Sequence, residues 1–277
     1  MTHGVLTLAQ NSTVDYVGLA YLQCLSLRST NPGLPYSIIT DAVTYKDIPQ
    51  SVHDAVDHIV VLPTDLAYDQ TWKQRNECQL FQVTPFRETI KVEADLLFTG
   101  SISHWWRGLR TRDVVISSGC VDYRGNTATD RKNRRAFDAN GLPDVYTGLM
   151  YWRRSRTAQI LFQNARDIYM DWDRVRSGLL SVPDADLGST DLVFALAARL
   201  TGEHLVTLPM DHFRMVHLKN NINGWVPNIP WYHQTTVDIA PPEVRIAGFQ
   251  QTHPVHYQDK DWATDQLIED YQRVVVG

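Results

Sequence analysis

At 277 residues the chain can bury a sizeable core, as one large domain or one domain with an appended lobe. With 43% hydrophobic and 21% charged residues it has the composition of an ordinary globular protein. It holds no run of about 18 apolar residues, which excludes a membrane-spanning helix of the usual kind. The net charge of −5 is unevenly spread, because residues 104–156 carry eleven Lys/Arg against five Asp/Glu. Such a segment on an acidic body is either a docking face for a polyanion or a solvated basic loop.

The opening MTHGVLTLAQ shows no leader pattern. Cys24, Cys78 and Cys120 are too scattered for a zinc spacing or a disulfide framework, so reduced thiols and a cytoplasmic setting are expected. Val5–Ala9 reads as a first strand. Asn11, Ser12 and Thr13 then offer capping side chains, with Asp15 in the first turn of a helix. Val17, Tyr21, Cys24 and Leu25 mark one face of that helix, which runs to about Arg28. Asn31-Pro32-Gly33 stops it. Tyr36–Thr40 and His58–Leu62 are the next strands. Strand, helix and strand at these intervals predict βαβ units and a mainly parallel sheet.

A polar helix is expected over 69–82. Strand residues Thr89–Val92 follow, and then the triplet Glu93-Ala94-Asp95 inside an apolar run. Carboxylates in such a run are costly unless a cation meets them. Two acids one residue apart at a strand end can share a divalent ion. In open α/β sheets the carboxyl ends of the strands are where ligands sit. The same pair at a solvated strand end would need no metal.

Beyond the triplet, a short helix holding Trp105 and Trp106 is expected within 99–112, and a strand over Val114–Ser117. The polar stretch 120–144, with Arg131, Lys132, Arg134 and Arg135, reads as a long loop. Val145–Trp152 is strand-like. Leu161, Ala165, Ile168, Tyr169 and Trp172 share a helix face. A helix over Asp191–Leu200 and short strands over Leu205–Leu208 and Met215–Leu218 come next. The stretch 220–240 reads as irregular, Val244–Phe249 as a strand, and about 261–273 as the last helix, with Ala263, Leu267 and Tyr271 on one face.

Five ordered motifs carry a resemblance. They are TLAQNSTVDYVGLAYLQCLSLR, KVEADLLF, VYTGLM, GSTDLVF and HYQDKDW. Together, in order and spacing, they resemble GT-A glycosyltransferases of the glycogenin and lipopolysaccharide galactosyltransferase type, glycosyltransferase family 8. The resemblance implies a GT-A, Rossmann-like α/β fold with a mixed, mainly parallel sheet over residues 1–277. Residues 1–98 would form the nucleotide-sugar half, and 99–277 the half that binds acceptor and completes the active site. It implies an enzyme that moves a sugar from a UDP-sugar, with retention of configuration and with Mn²⁺ or Mg²⁺ as cofactor.

By the same resemblance Leu8, Ala9 and Asn11 hold uracil and ribose, and Tyr16 stacks on the base. Lys73 and Arg75 lie near the family's basic contact to sugar nucleotide. Glu93 replaces the first acid of the family's DxD motif, Ala94 its middle residue, and Asp95 keeps the second acid. Tyr146 stands where the family has Asn. Ser189 and Thr190 replace Asp and Gln, whereas Asp191 keeps the acid beside the donor sugar. His256, Lys260 and Trp262 match the C-terminal motif. The implied metal ligands are Glu93, Asp95 and His256, and the implied catalytic residues are Asp191 and Lys260. Mixed oxygen and imidazole ligation suits Mn²⁺ better than Mg²⁺. His217, followed by Lys219, is a second candidate for the metal histidine.

The acceptor stays open. A glycan, a lipid-linked acceptor or a protein fits the family. The basic segment 104–156 with its tryptophans also suits DNA, as in viral enzymes that glycosylate hydroxymethylated bases in the host cytoplasm. Two readings of other classes compete. A sugar-nucleotide nucleotidyltransferase would carry a glycine-rich phosphate loop where LAQNSTVDY has none. A non-catalytic sugar-nucleotide-binding module would show no turnover.

Overall fold

The computed structural model describes residues 3–68, 70, 73–129, 134–181, 188–207 and 213–276. The N-terminal third follows its hydrophobic pattern. β1 (His3–Leu8) leads into α1 (Tyr16–Thr30), then β2 (Tyr36–Thr40), α2 (Ala42–Tyr45), α3 (Gln50–Ala55) and β3 (His58–Val61). Side chains set the start of α1: Asp15 accepts from the Gly18 N–H at 3.0 Å, and Asn11 from the Val17 N–H at 2.9 Å.

The helix expected over 69–82 is instead a run of 3-10 turns, Lys73–Gln79, passing into α4 (Leu80–Val83), and Asp69 lies outside the described residues. Buried Asn76 and Gln79 explain the difference. Their amides bond to Gln10, Asp65 and the Thr64 carbonyl, which ties this segment to its neighbours. β4 (Glu88–Val92) and β5 (Leu96–Leu97) then flank the acidic triplet.

The next elements are α5 (Trp105–Leu109), β6 (Val114–Ser118), β7 (Cys120–Val121), β8 (Thr127–Ala128), α6 (Arg135–Asn140) and β9 (Val145–Arg153). The stretch 120–144 is therefore not one loop: β7 and β8 pair across a turn, and α6 ends at Gly141 with φ 57°. α7 (Arg156–Met170), α8 (Trp172–Leu179), α9 (Thr190–Thr201) and α10 (Glu203–Val206) follow. The strand expected at Leu205–Leu208 is corrected to α10, and Thr207 makes a single bridge to Ile116. Position 208 lies outside the described residues.

The last part holds β10 (Val216–His217), α11 (Asn220–Asn223), β11 (Val237–Ala240), β12 (Glu243–Ile246), β13 (Phe249–Gln250), β14 (Val255–His256) and α12 (Asp265–Val276). The stretch 220–240 thus includes a helix and a strand. The strand expected over Val244–Phe249 is two strands, broken by Ala247 and Gly248 at φ 49° and 81°.

The main sheet has the order β3-β2-β1-β4-β9-β6. Its first four strands are parallel, and β9 runs antiparallel to β4 and β6. One face is covered by α1, α5 and α12 and the other by α7 and α9, each with its own apolar cluster. A second sheet, β5-β14-β10-β7-β8, stands beyond the carboxyl end of β4. Its register decides the site: β14 pairs antiparallel with β5, His256 opposite Leu96, and parallel with β10, His256 opposite His217. Among the described residues no helix is long and apolar enough to cross a membrane.

Candidate active site

β1 and β4 are adjacent and parallel, so their carboxyl ends, Leu8 and Glu93, open on the same edge of the sheet. A cleft of about 810 Å³ lies there. The pairing of β5 with β14 brings His256 next to Asp95, and the Tyr257 N–H donates to the Asp95 carbonyl at 3.2 Å. His256 Nε2 lies 3.0 Å from Asp95 Oδ2 and 3.1 Å from Glu93 Oε2. The Lys260 ammonium donates to the same Asp95 oxygen. Asp95 and His256 are buried, whereas Glu93 is partly open to the cleft.

Glu93 owes its place to a glycine. Its N–H donates to the Gly148 carbonyl at 3.2 Å, and a Cβ on Gly148 would stand 2.9 Å from Glu93 Oε2. Gly148 in VYTGLM therefore leaves room for the carboxylate. Burial alone would raise the Asp95 carboxyl, but His256 and Lys260 outweigh it and hold the group well below the usual carboxylate range. His256 shows the mirror effect. Burial lowers its pKa, Asp95 and Glu93 raise it, and the net direction is upward.

Among the described residues, Glu93, Asp95 and His256 are the one such trio whose ligand atoms lie within 4.8 Å of one another. Two carboxylate oxygens and an imidazole nitrogen that face one point fit a divalent cation of the Mn²⁺ type. His217 does not join them. It stacks on His256 with ring centroids 4.5 Å apart and planes at 8°. Burial, and next the charge of His256, push its pKa well below the ordinary value, so it backs the outer imidazole as a neutral ring.

Ten of the fourteen residues to which the resemblance gives a site role line this cleft, as do Tyr146, His217 and Lys219. Leu8 and Tyr16 come from the first strand and helix, Lys73 from the 3-10 segment, and Glu93, Ala94 and Asp95 from the triplet. Ser189, Asp191, His256 and Lys260 complete the set. Four others do not line it. Ala9 extends the sheet through its N–H to Ile39, and Asn11 is spent on capping α1. Arg75 donates to the Leu66 carbonyl, and Thr190 is buried at the start of α9. Lys73 is held by Asp65 at 3.1 Å and by the Ala67 carbonyl at 2.9 Å.

Asp191 is engaged from three sides. Its Oδ1 accepts from the Thr147 N–H at 2.8 Å and hydroxyl at 2.7 Å, and its Oδ2 takes the Arg134 guanidinium at 2.7 Å. Arg134 also donates to the Val145 carbonyl and lies 3.8 Å over the Tyr146 ring.

Sequence reading missed Gln10, Glu77, Lys91 and Arg134 as cleft-lining residues. A signal existed for one: Lys91 interrupts a buried strand two residues before Glu93, and so shares its face. The basic segment is mixed: Arg107, Arg124, Arg135 and Arg156 are exposed, whereas its tryptophans are not. Trp105 and Trp106 are 2% and 5% exposed and pack on Phe213 and Tyr151, and Arg134 is buried. Arg131 and Lys132 lie outside the described residues.

No protein-family model matches the chain, and no curated protein does. Solved structures do. Galactosyltransferase LgtC, in complex with donor and acceptor sugar analogues, aligns with TM-score 0.53 at 10% identity, over 99% of this chain and 95% of its own. The bifunctional glycosyltransferase WbbM aligns with TM-score 0.52 at 11% identity, over 100% of this chain and 50% of its own. The glycosyltransferase GlyE of Streptococcus pneumoniae TIGR4 gives TM-score 0.50 at 13% identity, over 100% of this chain and 61% of its own. The chain therefore spans only about half to two thirds of WbbM and GlyE but nearly all of LgtC. With its mixed, mainly parallel sheet between helical layers, the chain has the GT-A fold of these glycosyltransferases.

Proposed function

We propose that the protein is a divalent-cation-dependent glycosyltransferase that takes its sugar from a nucleoside diphosphate, UDP by preference, and retains configuration. The observation that carries this is the convergence of Glu93, Asp95 and His256, with Lys260 beside them, at the carboxyl edge of a GT-A sheet. Glu93, Asp95 and His256 would hold Mn²⁺ or Mg²⁺, which when bound neutralises the charge of a leaving diphosphate. Lys260 contributes a second positive charge at the same place and binds phosphate oxygens in exchange for its contact to Asp95. Tyr16 packs on the base beside Leu8, at the start of the cleft. Asp191 acts through Thr147 and Arg134, fixing the wall against which the sugar lies. Residues 1–98 serve the nucleotide, and most of 99–277 completes the site.

For the acceptor a carbohydrate is favoured over DNA. Trp105 and Trp106 are core residues and cannot stack on bases. The cleft mouth instead carries Tyr232 near Asp259 and Asp261, where carboxylates repel a polyanion. Cytoplasmic action on a lipid-linked or protein-borne glycan belongs to the same proposal.

The test is hydrolysis of a panel of nucleotide sugars with Mn²⁺ and with chelator, followed by an acceptor screen that includes hydroxymethylated DNA. Metal-dependent release of UDP is expected. Nucleotide binding without turnover would make the protein a binding module. Pyrophosphate-dependent formation of nucleoside triphosphate would make it a nucleotidyltransferase.

A further inference from the structure

On another wall of the same cleft lies a second group of charges. Lys91 projects from the same face of β4 as Glu93. Its ammonium lies 2.8 Å from Glu77 Oε2 and donates to the Thr147 carbonyl at 2.9 Å. Thr147 is in turn bound by Asp191, which pairs with Arg134. Four charged side chains from four chain segments thus meet on one wall, and all four line the cleft.

Their bonding capacity is unequally used. Asp191 accepts three hydrogen bonds, and Arg134 donates to Asp191 and to the Val145 carbonyl and faces Asp144. Lys91 has two partners for three protons. Glu77 has one among the described residues, the Lys91 ammonium, although a carboxylate can accept about four bonds. It is 7% exposed, and what exposure it has is to the cleft. A buried ion pair is weak evidence for stability, since apolar residues of similar volume usually serve as well. An unspent carboxylate aimed into a ligand-sized cleft is better explained by a ligand hydroxyl.

We propose that Glu77 determines which sugar is accepted, its carboxyl hydrogen-bonding one hydroxyl of the transferred sugar while Lys91 fixes its orientation. This rests on the donor reading given above. The ligand class is a nucleoside-diphosphate sugar with a free hydroxyl at the contacted carbon. Donors lacking that hydroxyl leave a buried carboxylate unpaired, which is how a polar site rejects an analogue. Burial, partly offset by Lys91 and reinforced by Glu93 and Asp191, pushes the Glu77 carboxyl up to about 7, so it can donate as well as accept at neutral pH.

The experiment measures UDP binding with Mn²⁺ by calorimetry, then hydrolysis of the parent UDP-sugar and its deoxy analogues, one position at a time. It compares wild type, Glu77→Gln, and Glu77→Gln with Lys91→Met, which removes the pair and so guards against misfolding caused by an unpaired lysine. Expected is unchanged UDP affinity in both variants with kcat/KM for the parent donor lowered at least about tenfold, the loss of one hydrogen bond to a charged group. One deoxy donor should be as poor with wild type as the parent is with the variants, and the variants should no longer distinguish the two. Wild-type discrimination retained in both variants overturns this inference alone. Absence of UDP binding in wild type overturns the donor reading and this inference with it.

Discussion

At the mouth of the cleft Asp95 accepts from both His256 and Lys260, and Glu93 faces the same imidazole. On the inner wall Lys91 meets Glu77, and Arg134 meets Asp191, each pair also tied to the backbone of β9. The outer acids converge on one point with His256, where the proposed cation would sit. On the inner wall Asp191 and Arg134 are satisfied by each other and by β9, and Glu77 keeps unused bonding capacity. One cleft thus contains a group whose geometry fits an ion and a wall in which Arg134 and Asp191 hold shape around Glu77. The practical difference is that outer substitutions should cost metal-dependent turnover, whereas on the inner wall loss of Arg134 should cost stability and loss of Glu77 should cost donor discrimination.

The largest expected effect is at the mouth. Asp95→Asn exchanges a carboxylate for a poor metal ligand and should lower metal-dependent turnover by more than about 100-fold, beyond what losing a supporting contact costs. Hydrolysis of UDP-sugar across a Mn²⁺ titration measures it. Near-normal turnover at saturating Mn²⁺ would remove Asp95 from the ligand set and blur the two groups into one.

Arg134→Met tests the inner wall. It removes the cation from Asp191 and Asp144 and should cost about 3 kcal/mol of stability, the range for breaking a buried pair. Urea denaturation reads this directly. A stability close to wild type would mean that the inner charges do not hold the wall.

The third prediction concerns pH. The folded Glu77 carboxyl, at about 7, lies above its ordinary value of 4.5. Between those values the folded state holds more protons than the unfolded one, so this residue's contribution falls as pH rises and levels off above about 7. Glu77→Gln removes that slope, leaving the variant relatively more stable at pH 8 than at pH 4, by up to about 3 kcal/mol. Parallel melting curves for the two proteins across this range would show it, and identical pH slopes would contradict the burial of a titrating Glu77.

The smallest effect separates the two histidines. His256→Ala should raise the Mn²⁺ requirement and lower turnover. His217→Ala should raise the Mn²⁺ requirement by only about tenfold, as loss of a supporting group does. If the His217 variant is the worse of the two, the inner ring is the ligand and the outer one its support.

Much of the frame was legible because it is local. β1, α1, β2, β3 and β4 follow periodicity and capping that neighbouring residues dictate. α7 and α9 likewise show their apolar faces in the sequence. Glu93, Asp95, His256 and Lys260 could be singled out because two acids in an apolar strand, and a histidine before a lysine and a tryptophan, are unusual locally. Their contact, across 161 residues between Asp95 and His256, comes from the pairing of β5 with β14, strands of two residues each.

Strands that short carry no period to read, which is why β7, β8 and α6 were hidden inside an apparent loop. The stack of His217 on His256 follows from the parallel register of β10 and β14 and from nothing in either segment. Charge environment was the other blind spot. Arg134 looked like part of a basic surface, yet Asp191, 57 residues on, and the Tyr146 ring make it a buried residue. Sequence by itself determined which residues are chemically capable, since that is a property of side chains and their immediate neighbours. Only the tertiary structure decided which of them share a dielectric and a partner. Those depend on register and packing between segments that local propensity does not encode.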